Sequence, residues 1–135
     1  MKKKNLKAVA WGLFSQYIRR KYADENGFVK CVTCGVVKHW KDGMQSGHFI
    51  DSRNNSVLFD EKLVYPQCVS CNMFKKGNKV AYTLFMLEKH TKKEVAEMLT
   101  KKFKVRKITE DEYLLLIEDI KDKLVGLDMK DIGGL

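Results

Sequence analysis

Two cysteine pairs constrain this chain more than any other feature: Cys31-Val-Thr-Cys34 and Cys68-Val-Ser-Cys71, with no fifth cysteine left over. Each pair can grip one ion from a single tight turn, and four thiolates close a tetrahedral shell around zinc against water. A closed shell is structural. A thioredoxin-like redox pair is the poorer reading, because there are two pairs and no βαβ pattern around either. Disulfides are also disfavoured. The N-terminal MKKKNLKAVAWGLF lacks a small-residue cleavage site, and Gln16 and Arg19 soon interrupt its apolar run, so a cytoplasmic, reducing location is expected. The 33 residues between Cys34 and Cys68 leave room for a strand, a loop and another strand.

Around this centre the periodicity predicts an α+β protein of a single domain, residues 1–135. Leu6, Val9, Ala10, Leu13, Phe14, Tyr17 and Ile18 recur at three- and four-residue steps, predicting an amphipathic helix over 6–22. FVKCVTCGVVKHW reads as two short strands about the first knuckle, and MQSGHFI as a further strand carrying His48. Residues 51–57 read as loop, and a helix is expected from near Cys68 to Lys75, stopped by Gly77-Asn78. Beyond residue 79 the chain reads as helical to about 127. Thr91 with Glu94 and Thr109 with Glu112 carry capping-box spacing.

The charge balance points to a partner. The 135 residues carry a net charge of +9, and residues 1–22 hold seven basic side chains and no acidic one. Residues 75–107 hold eleven basic and three acidic side chains, whereas the tail from Thr109 is net acidic. Clustered positive charge favours nucleic acid. No apolar run is long enough for a transmembrane helix, so no membrane partner is expected.

Between the cysteine pairs lie residues suited to phosphodiester chemistry. A neutral imidazole, here His48, can take a proton from water near neutral pH. Magnesium or manganese prefers oxygen ligands. Asn72, placed directly after the last cysteine, offers a carboxamide, while Asp51, Asp60 and Glu61 offer carboxylates. Arg53, Lys75, Lys76 and Lys79 are candidates for contacts to flanking phosphates. The residues alone reach as far as a zinc-stabilised nucleic-acid-binding domain.

The order Cys-x-x-Cys, Gly47-His48-Phe49, Cys-x-x-Cys-Asn resembles the zinc-containing HNH, or ββα-metal, endonucleases, including phage endonuclease VII. More specifically, SGHFIDSR, LFDEKLVYPQC and CNMFKKGN resemble the phage NinG family of Rap recombination endonucleases, over about residues 28–80. The resemblance implies a ββα-metal core at 28–78, with Cys31, Cys34, Cys68 and Cys71 on structural zinc. It implies His48 as general base and Asn72 as ligand to a catalytic magnesium or manganese ion. The implied substrate is branched recombination DNA, such as Holliday junctions and D-loops, with a homodimer and recombination proteins as further partners. Two positions depart from the HNH pattern. Gly47 stands where many of those enzymes carry a metal-binding carboxylate, which leaves Asp60 first and Asp51 second as candidates. Leu63 stands where an asparagine commonly orients the base, so another group, such as a backbone carbonyl, must orient His48. The competing expectations are a general HNH nicking endonuclease and a non-catalytic zinc module that binds DNA.

Overall fold

The computed structural model describes residues 5–51, 55–104 and 106–133, so Arg53 lies outside the described residues. Helix α1 (Leu6–Lys21) opens with Asn5, whose side chain accepts a hydrogen bond from the Ala8 amide. That contact supplies one of the amides an N-terminus leaves unpaired. Arg19, Arg20 and Lys21 occupy its last turn, where positive charge opposes the helix dipole. Asp24 then accepts from the Asn26 and Phe28 amides and folds the chain into the next strand.

Two small antiparallel sheets follow. Strands β1 (Phe28–Lys30) and β2 (Val37–His39) form the hairpin that presents Cys31 and Cys34. Strands β3 (Met44–His48) and β4 (Val64–Cys68) pair in a register that sets Met44 opposite Cys68 and His48 opposite Val64. Proline is rare inside strands, but Pro66 completes β4 because its carbonyl is taken by the Val32 amide, which ties the two hairpins together.

Two local expectations change. The loop expected over 51–57 contains a four-residue helix, α2 (Asn55–Leu58), anchored by buried Val57 and Leu58. The helix expected from Cys68 to Lys75 is a single π-helical turn, Ser70–Phe74, because Cys68 itself belongs to β4. Left-handed Lys76, Gly77 and Asn78 then reverse the chain into α3 (Lys79–Lys89). Helix α4 (Lys92–Thr100) starts at the expected Thr91/Glu94 capping box, with both reciprocal hydrogen bonds present. The same pair of bonds joins Thr109 and Glu112 at the start of α5 (Glu110–Gly133).

Three apolar clusters hold these elements. Phe14, Tyr17 and Ile18 of α1 pack with Val64, Ile120 and Leu124, so α5 lies along α1. Ile120 and Leu124 of α5 are thus buried within the same chain. Phe49, Ile50, Val57, Leu63, Tyr65, Tyr82, Met86, Val95 and Met98 form the second cluster under α3 and α4. Val29 and Met44 pack with three of the cysteines in the third. Among the described residues no helix is long and apolar enough to cross a membrane.

Candidate metal centre and active-site cleft

The fold gathers all four cysteines. Their sulfurs lie within 4.8 Å of one another, with Cys34 Sγ and Cys68 Sγ at 3.7 Å. Bonds of about 2.3 Å in a tetrahedron put thiolates about 3.8 Å apart, so the cluster has the size and donor set for a structural metal ion such as zinc. Polar groups turn toward the sulfurs as well. The Cys71 amide donates to Cys68 Sγ, Asn78 Nδ2 donates to Cys71 Sγ, and the Thr33 hydroxyl sits 3.3 Å from Cys31 Sγ. Such contacts favour thiolates and fix their direction. Burial opposes ionisation of Cys31, yet the Thr33 hydroxyl and neighbouring amides hold it down to about 6. Cys34 shows the opposite balance. Although the Val36 amide favours its thiolate, burial and the other three cysteines push it up to about 12.

Beside this centre is an open cleft of about 880 Å³. One wall is α1, through Asn5, Lys7, Ala8, Trp11, Ser15 and Arg19. The other is β3 and its continuation, through Met44, Gln45, Ser46, His48, Ile50 and Asp51, with Leu58 and Asn72 completing it. His48 and Asn72, from separate elements, therefore share one cavity. The register between the walls is fixed by Ser46, whose hydroxyl donates to the Ser15 carbonyl at 2.9 Å. Arg19 donates to the Ser15 and Trp40 carbonyls and lies over the Trp40 ring.

His48 is held from two sides. Its Nε2 lies 3.3 Å from the Leu58 carbonyl, and its ring stacks on Trp11 with centroids 4.7 Å apart. A carbonyl only accepts, so Nε2 is the donor in this contact. The Leu58 carbonyl is thus the backbone group against the ring, whereas Leu63 is fully buried in the core. Asn72 Nδ2 donates to Gln45 Oε1 at 2.8 Å, which leaves the carboxamide oxygen as its donor for a hard cation.

The glycine before His48 has a steric cause. A Cβ at Gly47 would stand 1.8 Å from Gln67 Oε1. Gln67 is fully buried and cannot swing away, because its Nε2 donates to Thr33 Oγ1 and to the Gly77 carbonyl. A carboxylate at 47 would also leave the strand on the face opposite His48.

The remaining candidates separate. Asp51 lines the cleft and pairs with Lys79 at 3.0 Å. Asp60, the first carboxylate candidate, is directed elsewhere. It caps the Lys62 amide, pairs with Lys101 and lines a different depression with Glu61, Arg106 and Glu112. Lys79 was expected on a substrate phosphate, but its ammonium donates to the His48 and Phe49 carbonyls and to Asp51, so it braces the end of β3. Lys75 and Lys76 are exposed on the turn after Asn72. Glu61 joins Lys21, Lys123 and Tyr17. Burial opposes its ionisation, but Lys123, Tyr17 and Lys21 together outweigh that and hold the carboxyl below its usual range. Sequence patterning missed Trp11 and Gln45. Trp11 sits among the apolar positions of an amphipathic helix, and Gln45 is an ordinary strand residue.

These features define a class: a small α+β protein in which a four-cysteine cluster braces two hairpins beside a cleft walled by a basic helix. The family described as Bacteriophage Lambda NinG protein matches residues 2–130, and the chain belongs to the NinG family. It is 27% identical over 124 residues to protein ninG of Salmonella phage P22, covering 80% of this chain and 59% of that protein. It is 28% identical over 94 residues to protein ninG of Escherichia phage 933W, covering 62% of this chain and 45% of that protein. The chain thus spans about half to three fifths of the length of these relatives. No solved structure matches it.

Proposed function

We propose that this protein is a metal-dependent endonuclease that cuts branched DNA during phage recombination, built on an HNH-like ββα-metal core with structural zinc on its four cysteines. The observation that carries this reading is the shared cleft. His48 on β3 and Asn72 on the turn after β4 line one cavity, and the antiparallel pair β3–β4, with α2 in its connection, leads directly into that helical turn.

His48 takes the proton of the attacking water, while the Leu58 carbonyl and the Trp11 ring hold the imidazole in place. Asn72 Oδ1 and the Asp51 carboxylate would hold magnesium or manganese. Among the described residues the cysteines form the sole His/Cys/Asp/Glu group compact enough for an ion. One carboxylate, one carboxamide and waters are a sparse set that suits magnesium, which keeps much of its hydration. When bound, that ion supplies charge neutralisation at the scissile phosphate and the leaving oxygen. Lys79 restrains Asp51, and Lys7 of α1 with Lys75 and Lys76 offers cations to flanking phosphates. Symmetric cleavage of a four-way junction needs two such clefts, hence a second copy of the chain.

The test is cleavage of an end-labelled synthetic four-way junction with magnesium or manganese. Wild type should cut, and His48→Ala and Asn72→Ala should bind but cut about a hundredfold more slowly or worse. Binding without cleavage under every divalent metal would establish the non-catalytic zinc module instead. Equal cutting of junction and linear duplex would establish a general nicking enzyme.

A further inference from the structure

The turn that carries Asn72 ends in two apolar side chains the fold does not use. Met73 is 60% exposed and Phe74 is 81% exposed, and exposed Lys75 and Lys76 follow immediately. A large aromatic turned to water is unremarkable on a loose loop, but this turn is tightly braced. The Lys75 amide donates to the Ser70 carbonyl and the Gly77 amide to the Cys71 carbonyl. Gln67 holds the Gly77 carbonyl, Asn78 holds Cys71 Sγ, and Gln45 Nε2 reaches Met73 Sδ at 3.5 Å. Lys76 and Asn78 both adopt left-handed backbone, at φ 50° and 46°, a conformation unfavourable for lysine in particular. The thiolate cluster and a strained reversal therefore fix an aromatic side chain in solvent, two residues from a cleft residue.

We propose that Phe74, supported by Met73, stacks against an unpaired or unstacked base at a DNA branch point, with Lys75 and Lys76 on the adjoining phosphates. This rests on the DNA-cleaving reading of the cleft and adds the feature that selects branched over continuous duplex. Two lysines directly beside the aromatic, on a chain of net charge +9, favour a polyanion whose bases offer π faces. Wedging an apolar side chain into intact duplex requires unstacking a base step, whereas at a branch the stack is already interrupted. Phe74 thus has a partner in branched DNA that continuous duplex does not present.

The experiment uses the whole 135-residue chain carrying His48→Ala, without added magnesium, so that binding is read apart from cutting. The probe is a four-way junction carrying 2-aminopurine beside the branch point, with linear duplex of the same sequence as control. The fluorescence should change on binding. Adding Phe74→Ala should abolish that change and weaken junction binding about tenfold while leaving duplex binding unaltered. Phe74→Trp should restore both. Lys75→Ala and Lys76→Ala should weaken the two DNAs alike and flatten the salt dependence. Because Phe74 is exposed, melting temperature and metal content should not move. Unchanged junction affinity in Phe74→Ala, an equal loss on both DNAs, or an altered sedimentation coefficient with an intact fluorescence response would each overturn the proposal. A Phe74-dependent signal, together with wild-type protein that never cuts the junction under any divalent metal, would uphold it while removing the nuclease reading. Normal cutting with no Phe74 dependence would do the reverse.

Discussion

At the scale of single residues, the cleft owes its shape to side chains that exclude alternatives. Gly47 is required because Gln67 Oε1 occupies the space its Cβ would need. Restoring the carboxylate common in HNH enzymes should therefore damage the fold rather than help catalysis. Gly47→Asp is expected to destabilise by about 3 kcal/mol or more, from overpacking and a buried charge, read as a fall in the urea midpoint. Trp11 acts differently, since it stacks on His48 while also packing at the edge of the α1–α5 core cluster. Trp11→Ala should slow junction cleavage about tenfold to a hundredfold with junction affinity preserved, and Trp11→Phe should recover most of the rate. The Lys79–Asp51 pair predicts a third outcome. Asp51→Asn should raise the magnesium concentration needed for half-maximal cleavage, whereas Asp60→Asn, in its separate depression, should leave it unchanged.

At the scale of elements, α1 is joined to the cleft and to α5 at once. Its apolar stripe packs on Ile120 and Leu124, its Ser15 carbonyl receives Ser46, and Lys21 and Tyr17 converge with Lys123 on Glu61. Because Lys123 and its neighbours depress the folded-state pKa of Glu61, the carboxylate contributes stability above the unfolded carboxyl range and loses it as pH falls through the folded value. Glu61→Gln should be less stable than wild type by about 0.5–1 kcal/mol at neutral pH, with the difference vanishing in strong acid, measured by urea unfolding at both. The capping boxes at Thr91 and Thr109 were legible from four letters each, because both partners lie within one turn of chain. The π-helical turn was not, because β4 claims Cys68 and sets where helical geometry can begin.

At the scale of the whole molecule, the thiolate cluster joins the β1–β2 hairpin to β4 and to the turn bearing Asn72 and Phe74. The apolar cluster around it is small, built on Val29 and Met44 besides the cysteines. An ion held by the four thiols would supply most of its cohesion, as in small metal-bound folds. Purified protein should carry one zinc per chain by elemental analysis. A strong thiol-competing chelator should remove it, with loss of junction binding and a lowered melting temperature. The α1–α5 pairing, whose core contains no cysteine, should keep much of the helical circular dichroism.

The sequence by itself determined what depends on residue type and short spacing: the four paired thiols, the helix caps, the basic balance and the order of motifs that places the chain in the NinG family. It also marked His48 and Asn72 as residues to bring together. Only the tertiary structure decided which carboxylate shares their cleft, because Asp51 and Asp60 both lie close in sequence and the packing of β3 and α2 sends them to different depressions. It likewise assigned Lys79 to the backbone of β3, Gln45 to Asn72, and Trp11 and the Leu58 carbonyl to His48. The reason is physical: caps and knuckles are satisfied within a turn of chain, whereas a cleft is made where α1 settles on β3, and no local pattern records that contact.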